Sequence, residues 1–289
     1  MTRHETPLLA VEDLVVEYPV PDGVFRAVDA VSFSVEKGKT LAIVGESGCG
    51  KSTIARSIVR LLTPTSGRIL VDGNDIAQMS EKSLRPPYRS RVQMVFQDPY
   101  GSLDPHLTAE DIIGEPLRLK GVRSKSERAK AAAELVDRVG LPSSALHRRP
   151  AEFSGGQRQR IGIARALASG PEILVCDEAT SALDVSVQAQ VLELLREIQA
   201  DTGLTYVFIS HNLGVVREIS ETVVVMSKGT IVESGSTDTV LASPREPYTR
   251  ALRGAALDPT TMVGIKPRHV VAALSKNLLA KQTESRGVA

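Results

Sequence analysis

The 289 residues are 42% hydrophobic and carry 35 Lys and Arg against 34 Asp and Glu. That is enough apolar content for one large domain plus an extension, and a net charge of +1 excludes a nucleic-acid surface built on bulk positive charge. Two distant cysteines, Cys49 and Cys176, exclude a disulfide framework and suit a reducing cytosol, and no run approaches the ~18 apolar residues of a membrane span.

The opening MTRHETPLLA has too short an apolar stretch for a signal peptide, so a soluble chain is expected. Residues 8–38 show short alternating strands, 31–35 among them, ending in the Lys37-Gly38-Lys39 turn. Tyr18 lies in this stretch; taken alone it is a strand tyrosine. Leu41-Ala42-Ile43-Val44 is a continuous apolar run, the mark of a buried parallel strand. Gly45-Glu46-Ser47-Gly48-Cys49-Gly50-Lys51-Ser52, followed by Thr53, then fits G-x-x-x-x-G-K-[ST] in full. A helix is predicted over 52–62, with Ile54, Ile58 and Leu61 on one side. Strand, glycine loop and helix follow in the order a phosphate site needs. Gly45, Gly48 and Gly50 let backbone amides curl around an anion, and the helix start adds roughly half a positive charge. Lys51 is placed for the β- and γ-phosphates of a nucleotide, and the Ser52 hydroxyl for Mg²⁺. Cys49 reads as small-residue filler in the loop.

Residues 67–73 (GRILVDG) read as a strand that joins 8–38 in an antiparallel layer. An apolar strand at 92–96 ends at Gln97, and the DPYGSLDP that follows is a turn-rich loop. From about 99 to 161 the pattern is helical, with Ala132, Leu135, Val136 and Val139 marking an amphipathic helix over 126–139. Ser154 reads as the N-cap of a helix carrying Ile161, Ala164 and Ala168 on one face. Gly155 and Gly156, just inside that helix, cost roughly 1 kcal/mol each against alanine. Close approach of the backbone to a phosphate would justify the cost, which makes Ser154-Gly155-Gly156-Gln157 a second phosphate-facing helix start.

Residues 173–176 form another buried strand, ended by Asp177 and Glu178. Ligands in open α/β sheets gather at the carboxyl ends of strands. Asp177 is therefore the candidate for the Mg²⁺ shell, and Glu178 for polarising an attacking water. Asp184 reads as the N-cap of a helix over 185–198. His211 follows a strand at 206–210; a lone histidine is ordinarily structural, and only its place in the chain singles it out. Strands at 222–226 and 230–233 meet at the Lys228-Gly229 turn. After Ser243 the character changes, and the tail ending in KQTESRGVA is expected to fray.

The P-loop and EFSGGQRQRIGIARALA together resemble the ATPase subunit of an ATP-binding cassette (ABC) transporter, over about residues 8–252. The resemblance implies an α/β fold: a P-loop NTPase core with a parallel sheet flanked by helices, an antiparallel β-subdomain, and an inserted α-helical subdomain at about 99–163. The nucleotide-binding domain is then 1–242, and 243–289 a C-terminal extension. The cofactors implied are ATP and Mg²⁺. Tyr18 would stack on adenine. Gln97 would belong to the loop that contacts the γ-phosphate region, the metal and the membrane partner. Ser181-Ala182-Leu183-Asp184 resembles the D-loop, and His211 the switch histidine at the γ-phosphate. In this family the Ser-Gly-Gly-Gln signature of one subunit closes on the ATP held by the P-loop of another.

Three softer features resemble the second ATPase subunit of dipeptide, oligopeptide or nickel importers: the EFSGGQ start, QDPYGSLDP, and SPREPYTRAL at 243–252. Phe153 replaces the Leu of the general signature, in keeping with that group, while the chain departs from the group at Asp104 (often Asn) and at Glu246 (usually His). Some peptide-importer ATPases carry an iron–sulfur cluster; Cys49 and Cys176 stand too far apart to suggest one. The resemblance implies two integral membrane permeases, a second ATPase subunit in a homodimer or heterodimer, indirect contact with an extracytoplasmic solute-binding protein, and no nucleic acid. It places the chain peripherally on the cytoplasmic face of the inner membrane. The alternative is a soluble ABC-type ATPase acting on nucleic acid or ribosomes. Those usually carry two cassettes, coiled coils or basic insertions, and none is present.

Overall fold

The computed structural model describes residues 7–84, 88–98, 100–181 and 183–257. Expectations for Pro99, Ala182 and the tail from 258 onward lie outside these residues. In chain order the elements begin with β1 (Leu9–Val20), β2 (Gly23–Val35), β3 (Thr40–Gly45), α1 (Lys51–Ile58), β4 (Ser66–Val71) and β5 (Asn74–Asp75). Two short helices, α2 (Glu81–Leu84) and α3 (Tyr88–Arg91), lead into β6 (Val92–Val95). A helical run follows: α4 (Ala109–Leu119), α5 (Lys125–Arg138) and α6 (Gly155–Ala168). The chain then alternates through β7 (Ile173–Asp177), α7 (Val185–Thr202), β8 (Thr205–Ile209), α8 (Leu213–Ile219), β9 (Thr222–Ser227) and β10 (Thr230–Ser236). It closes with α9 (Thr237–Ala242) and α10 (Pro247–Leu257).

These strands form two sheets. The smaller is antiparallel, in the order β2-β1-β4-β5; the larger runs β10-β9-β3-β8-β7-β6 and is parallel except for β10. The strands β3, β7 and β8 are buried along their whole length. Their unbroken apolar runs follow from cover on both faces. Side chains alternate between those faces. Along β7, Ile173 and Val175 join a cluster with Ile54 and Ile58 of α1 and Leu9 of β1. Leu174 and Cys176 join the opposite cluster, with Ile161 of α6 and Val191 and Leu195 of α7. That same cluster takes in Ile113 of α4 and Val136 of α5, so the helical run shares its core with one face of the large sheet.

One helix is shorter than its spacing predicts. α1 ends at Ile58 rather than continuing to Leu62, and Leu61 is 58% exposed instead of sharing the Ile54 face. Arg60 takes a left-handed φ of 54°, its N–H donates to Ser57 O, and the Leu61 N–H donates to Arg56 O. This pair of bonds is a Schellman stop, with arginine where glycine is usual. The Arg60 side chain compensates. It is buried and donates to Ile76 O at 2.8 Å, Met79 O at 2.9 Å and Thr63 Oγ1 at 2.8 Å. Arg60→Ala takes the guanidinium from Met79 O and from Ile76 O, of which Ile76 O keeps the Met79 N–H, and should cost about 1–3 kcal/mol. Urea unfolding checks this; a midpoint equal to the parent's would show that the guanidinium is not what secures the stop.

Candidate active site

The register of the large sheet lines up the carboxyl ends of its strands. Ile43 pairs with Ile209, and Ile209 with Asp177, so the end of β3 sits beside the ends of β8 and β7. The P-loop leaves β3 there. Gly45, Gly48 and Gly50 all have positive φ. A Cβ at Gly45 would lie 2.3 Å from Met226 O, and one at Gly50 would lie 2.4 Å from Ala27 O, so these two positions demand glycine twice over. The first helical acceptor of α1 is Gly50 O, bonded by Ile54 N–H. The amides of Lys51, Ser52 and Thr53 precede it and are the unpaired donors of a helix start.

Lys51 is buried and donates its Nζ to Gly45 O at 2.9 Å and Glu46 O at 2.7 Å. Ser52 Oγ donates to Asp177 Oδ1 at 3.0 Å. Burial pushes the Asp177 pKa up, with the Ser52 hydrogen bond opposing. A cavity of about 220 Å³ joins these groups, lined by Tyr18 and Phe25, by Ser47, Gly48 and Lys51–Thr53, and by Gln97 and Glu178. Aromatic rings, an amide cradle and a carboxylate in one cavity match a base, a phosphate chain and a hydrolytic centre.

Glu178 takes a left-handed φ of 46°, an uncommon state for a residue with a Cβ. Its N–H donates to Ile209 O at 3.0 Å, and its carbonyl accepts both the N–H and the Oγ of Ser181. Those bonds hold the strained residue and aim its carboxylate into the cavity. Glu178 Oε2 accepts from Gln97 Nε2 at 2.9 Å and lies 3.5 Å from His211 Nδ1. The structure thus gathers Gln97, Glu178 and His211 around one oxygen.

The second helix start stands elsewhere. Ser154 caps α6: its Oγ accepts from Gln157 N, and Gln157 Oε1 accepts from Ser154 N, a reciprocal capping box. None of Ser154, Gly155, Gly156 or Gln157 lines the P-loop cavity. Asp184 is exposed and caps α7 by accepting from Val187 N at 2.9 Å.

A family described as ABC transporter matches residues 28–181. The chain belongs to that family. It is 52% identical, over 87% of its own length and 73% of the relative's, to a probable peptide ABC transporter ATP-binding protein, y4tS, of Sinorhizobium fredii. It is 49% identical, over 86% of its length and 78% of the relative's, to the oligopeptide transport ATP-binding protein AppF of Bacillus subtilis. Among solved structures, the dimeric cassette MJ0796 in a post-hydrolysis state bound to ADP and Pi superposes with a TM-score of 0.73 at 30% identity, covering 79% of this chain and 98% of that one. The protein is thus an ABC cassette whose ATP hydrolysis is coupled to transport, and these relatives favour transport over action on nucleic acid or ribosomes.

Two site features of this ABC cassette escaped the sequence reading. Phe25 lines the cavity because β1 pairs with β2 in a register that sets Tyr18 opposite Phe25. An exposed phenylalanine facing a tyrosine across a hairpin was the available signal. Gly156 also has a second reason to be glycine: a Cβ there would lie 2.4 Å from Val187 Cγ1, so α6 and α7 touch at that point. Gly155 meets only an ordinary contact, Leu183 Cδ2 at 3.8 Å. Gly156→Ala should therefore destabilise the chain by about 1–3 kcal/mol, and Val187→Ala should restore most of the loss. Gly155→Ala should leave the thermal midpoint level or slightly raised. Equal midpoints for the two glycine variants would discard this distinction.

Protonation of the acidic end follows from the same contacts. The hydrogen bond to Glu178 raises the His211 pKa above the ordinary 6.5, against burial and Lys51. The reciprocal bond to His211 lowers Glu178 below the ordinary 4.5. The contact therefore contributes between the two folded values; it fades as pH rises through that of His211 or falls through that of Glu178. NMR titration of His211 should give a value above 6.5 in the parent and a lower one in Glu178→Gln, where burial and Lys51 act unopposed. An unchanged titration would show that Glu178 does not set it.

Proposed function

We propose that this chain powers an importer of di- or oligopeptides as one half of a head-to-tail ATPase pair, docked on two integral membrane permeases at the cytoplasmic face of the inner membrane. A solute-binding protein outside that membrane delivers the cargo. The names of the relatives favour peptide over nickel. The observation that carries the pairing is the capped Ser154–Gln157 helix start, formed and presented away from the chain's own cavity. A second ATPase subunit would bring the complementary helix start to the ATP held here. The dimeric cassettes among the structural relatives support a pair of ATPase subunits.

In this reading Tyr18, joined by Phe25, stacks on the adenine. The P-loop from Gly45 to Thr53, Ser47 and Cys49 included, wraps the phosphates, while the Glu46 N–H stays with Tyr248 and holds the loop from behind; Lys51 turns its ammonium from the Gly45 and Glu46 carbonyls toward the β- and γ-oxygens. Ser154 and the amides of Gly155, Gly156 and Gln157 meet the γ-phosphate of the partner's ATP, and Asp184 stands at the same seam. The residues fit a Mg²⁺ ion: Ser52 Oγ and Asp177 Oδ1 are hard oxygen donors 3.0 Å apart, and the buried Asp177 carboxylate gains from a nearby cation. Ser52, Gln97 and Asp177 would hold it, and when bound it neutralises phosphate charge. Glu178 orients the attacking water and accepts its proton. Gln97 then leaves Glu178 Oε2 for the metal, and His211 leaves it for the γ-phosphate, so that nucleotide occupancy frees the base.

Glu178→Gln removes the base and preserves the shape. ATP turnover should fall by about 10²–10⁴-fold while ATP binding survives. With MgATP, the variant should accumulate as a pair, homodimeric alone or heterodimeric with the cognate second subunit, on size-exclusion chromatography. Wild-type turnover would remove Glu178 from the role given to it.

A further inference from the structure

Tyr248 of α10 reaches the P-loop from 202 residues away, and its hydroxyl accepts the Glu46 backbone N–H at 3.2 Å. The residue lies beyond the stretch the family match covers, which ends at 181. Its position follows from how α10 is fixed. The Glu233 carboxylate on β10 accepts the N–H groups of Arg245 at 2.8 Å and Glu246 at 3.2 Å, just before the helix begins. Arg253 donates to Ala242 O at 2.8 Å, tying the helix to the end of α9. Thr249 and Ala251 are buried, and Tyr248 and Leu252 pack on the cluster that holds Ala42 and Val44 of β3. The ring is thereby anchored under the strand from which the P-loop departs. Burial raises the phenol to about 12, so the hydroxyl is neutral at physiological pH.

The peptide unit it grips is the one that matters for Lys51. The Gly45–Glu46 peptide presents its carbonyl to Lys51 Nζ at 2.9 Å and its N–H to Tyr248. Ammonium, peptide and phenol thus form one chain of hydrogen bonds, in which each bond polarises the next. Fixing the N–H end fixes the tilt of the carbonyl on which the ammonium rests. Gly45 pairs with Met226 of β9, so the strand ladder continues up to this peptide.

We propose that Tyr248 is a positioning residue for the nucleotide site, and that the segment from Ser243 to α10 is a buttress that holds the Gly45–Glu46 peptide, and through it Lys51, ready for phosphate. This rests on the P-loop being where ATP binds. Losing the hydroxyl should weaken ATP binding without touching the groups that react, so KM rises while kcat is kept.

The test compares the full-length parent, Tyr248→Phe and Lys51→Ala by calorimetric titration with ATP, alongside the thermal midpoint of each nucleotide-free protein. Tyr248→Phe keeps the ring and its packing, so its midpoint should stay near the parent's. Its ATP affinity should fall about five-fold, the scale of one lost hydrogen bond. The Glu46 amide should exchange faster with D₂O in that variant, a readout that ring packing alone would leave unchanged. Parent-like ATP affinity in Tyr248→Phe, with binding lost in Lys51→Ala, would overturn the buttress and leave the P-loop assignment standing. Parent-like binding in Lys51→Ala would overturn both.

Discussion

The lateral register of the large sheet is the constraint on which everything chemical depends. Ile43, Ile209 and Asp177 stand in one row across β3, β8 and β7, so three loops leave the sheet at the same level. The P-loop follows β3, His211 follows β8, and Asp177 and Glu178 stand at the end of β7. A slip of one residue in any strand would exchange its two faces and bury its chemistry in the wrong cluster. The apolar alternation on both sides resists that slip, because Ile173 and Val175 serve one core while Leu174 and Cys176 serve the other.

Within that row the charges are arranged by depth. Lys51 is buried, and its ammonium rests on two carbonyls and the Cys49 sulfur, which offer partial charge and no countercharge. Asp177 is buried with a hydroxyl as its hydrogen-bond partner, and Arg56 and Lys51 act on it only through space. Both groups gain when phosphate and metal arrive, so the free protein holds unspent electrostatic attraction for its ligand. Glu178, nearer the surface, is already engaged by Gln97 and His211. The groups that bind are left wanting, and the group that reacts is kept occupied.

The sequence reveals the parts of this site whose requirements are local. A glycine loop between an apolar run and a helix, a serine cap three residues before a glutamine, and two carboxylates at a strand end all lie within one element and its flanks. The fold class follows from the same alternation of elements. What the sequence hides depends on contacts between distant segments. The left-handed turn at Glu178 is imposed by Ile209 and Ser181, and the stop at Arg60 by carbonyls at Ile76 and Met79. Gly156 illustrates the difference: phosphate approach is a sufficient reason on paper, yet the clash with Val187 on another helix would require glycine even with no phosphate at all.

A loop that must offer bare amides to an anion cannot satisfy itself, so its stability has to come from outside. The P-loop draws that support from every side that is not the cavity. Cys49 O accepts from Gly229 N, Gly229 O accepts from Asp29 N, and Glu46 N is taken by Tyr248. The β9–β10 turn, the antiparallel sheet and α10 therefore converge on one loop of eight residues, Gly45 to Ser52. Each outward-facing backbone group they satisfy is one that has no need to turn inward, and those facing the cavity are left for phosphate. The entropy cost of fixing three glycines is thus met by the surrounding fold rather than by the ligand, and the cradle is in place before the nucleotide arrives.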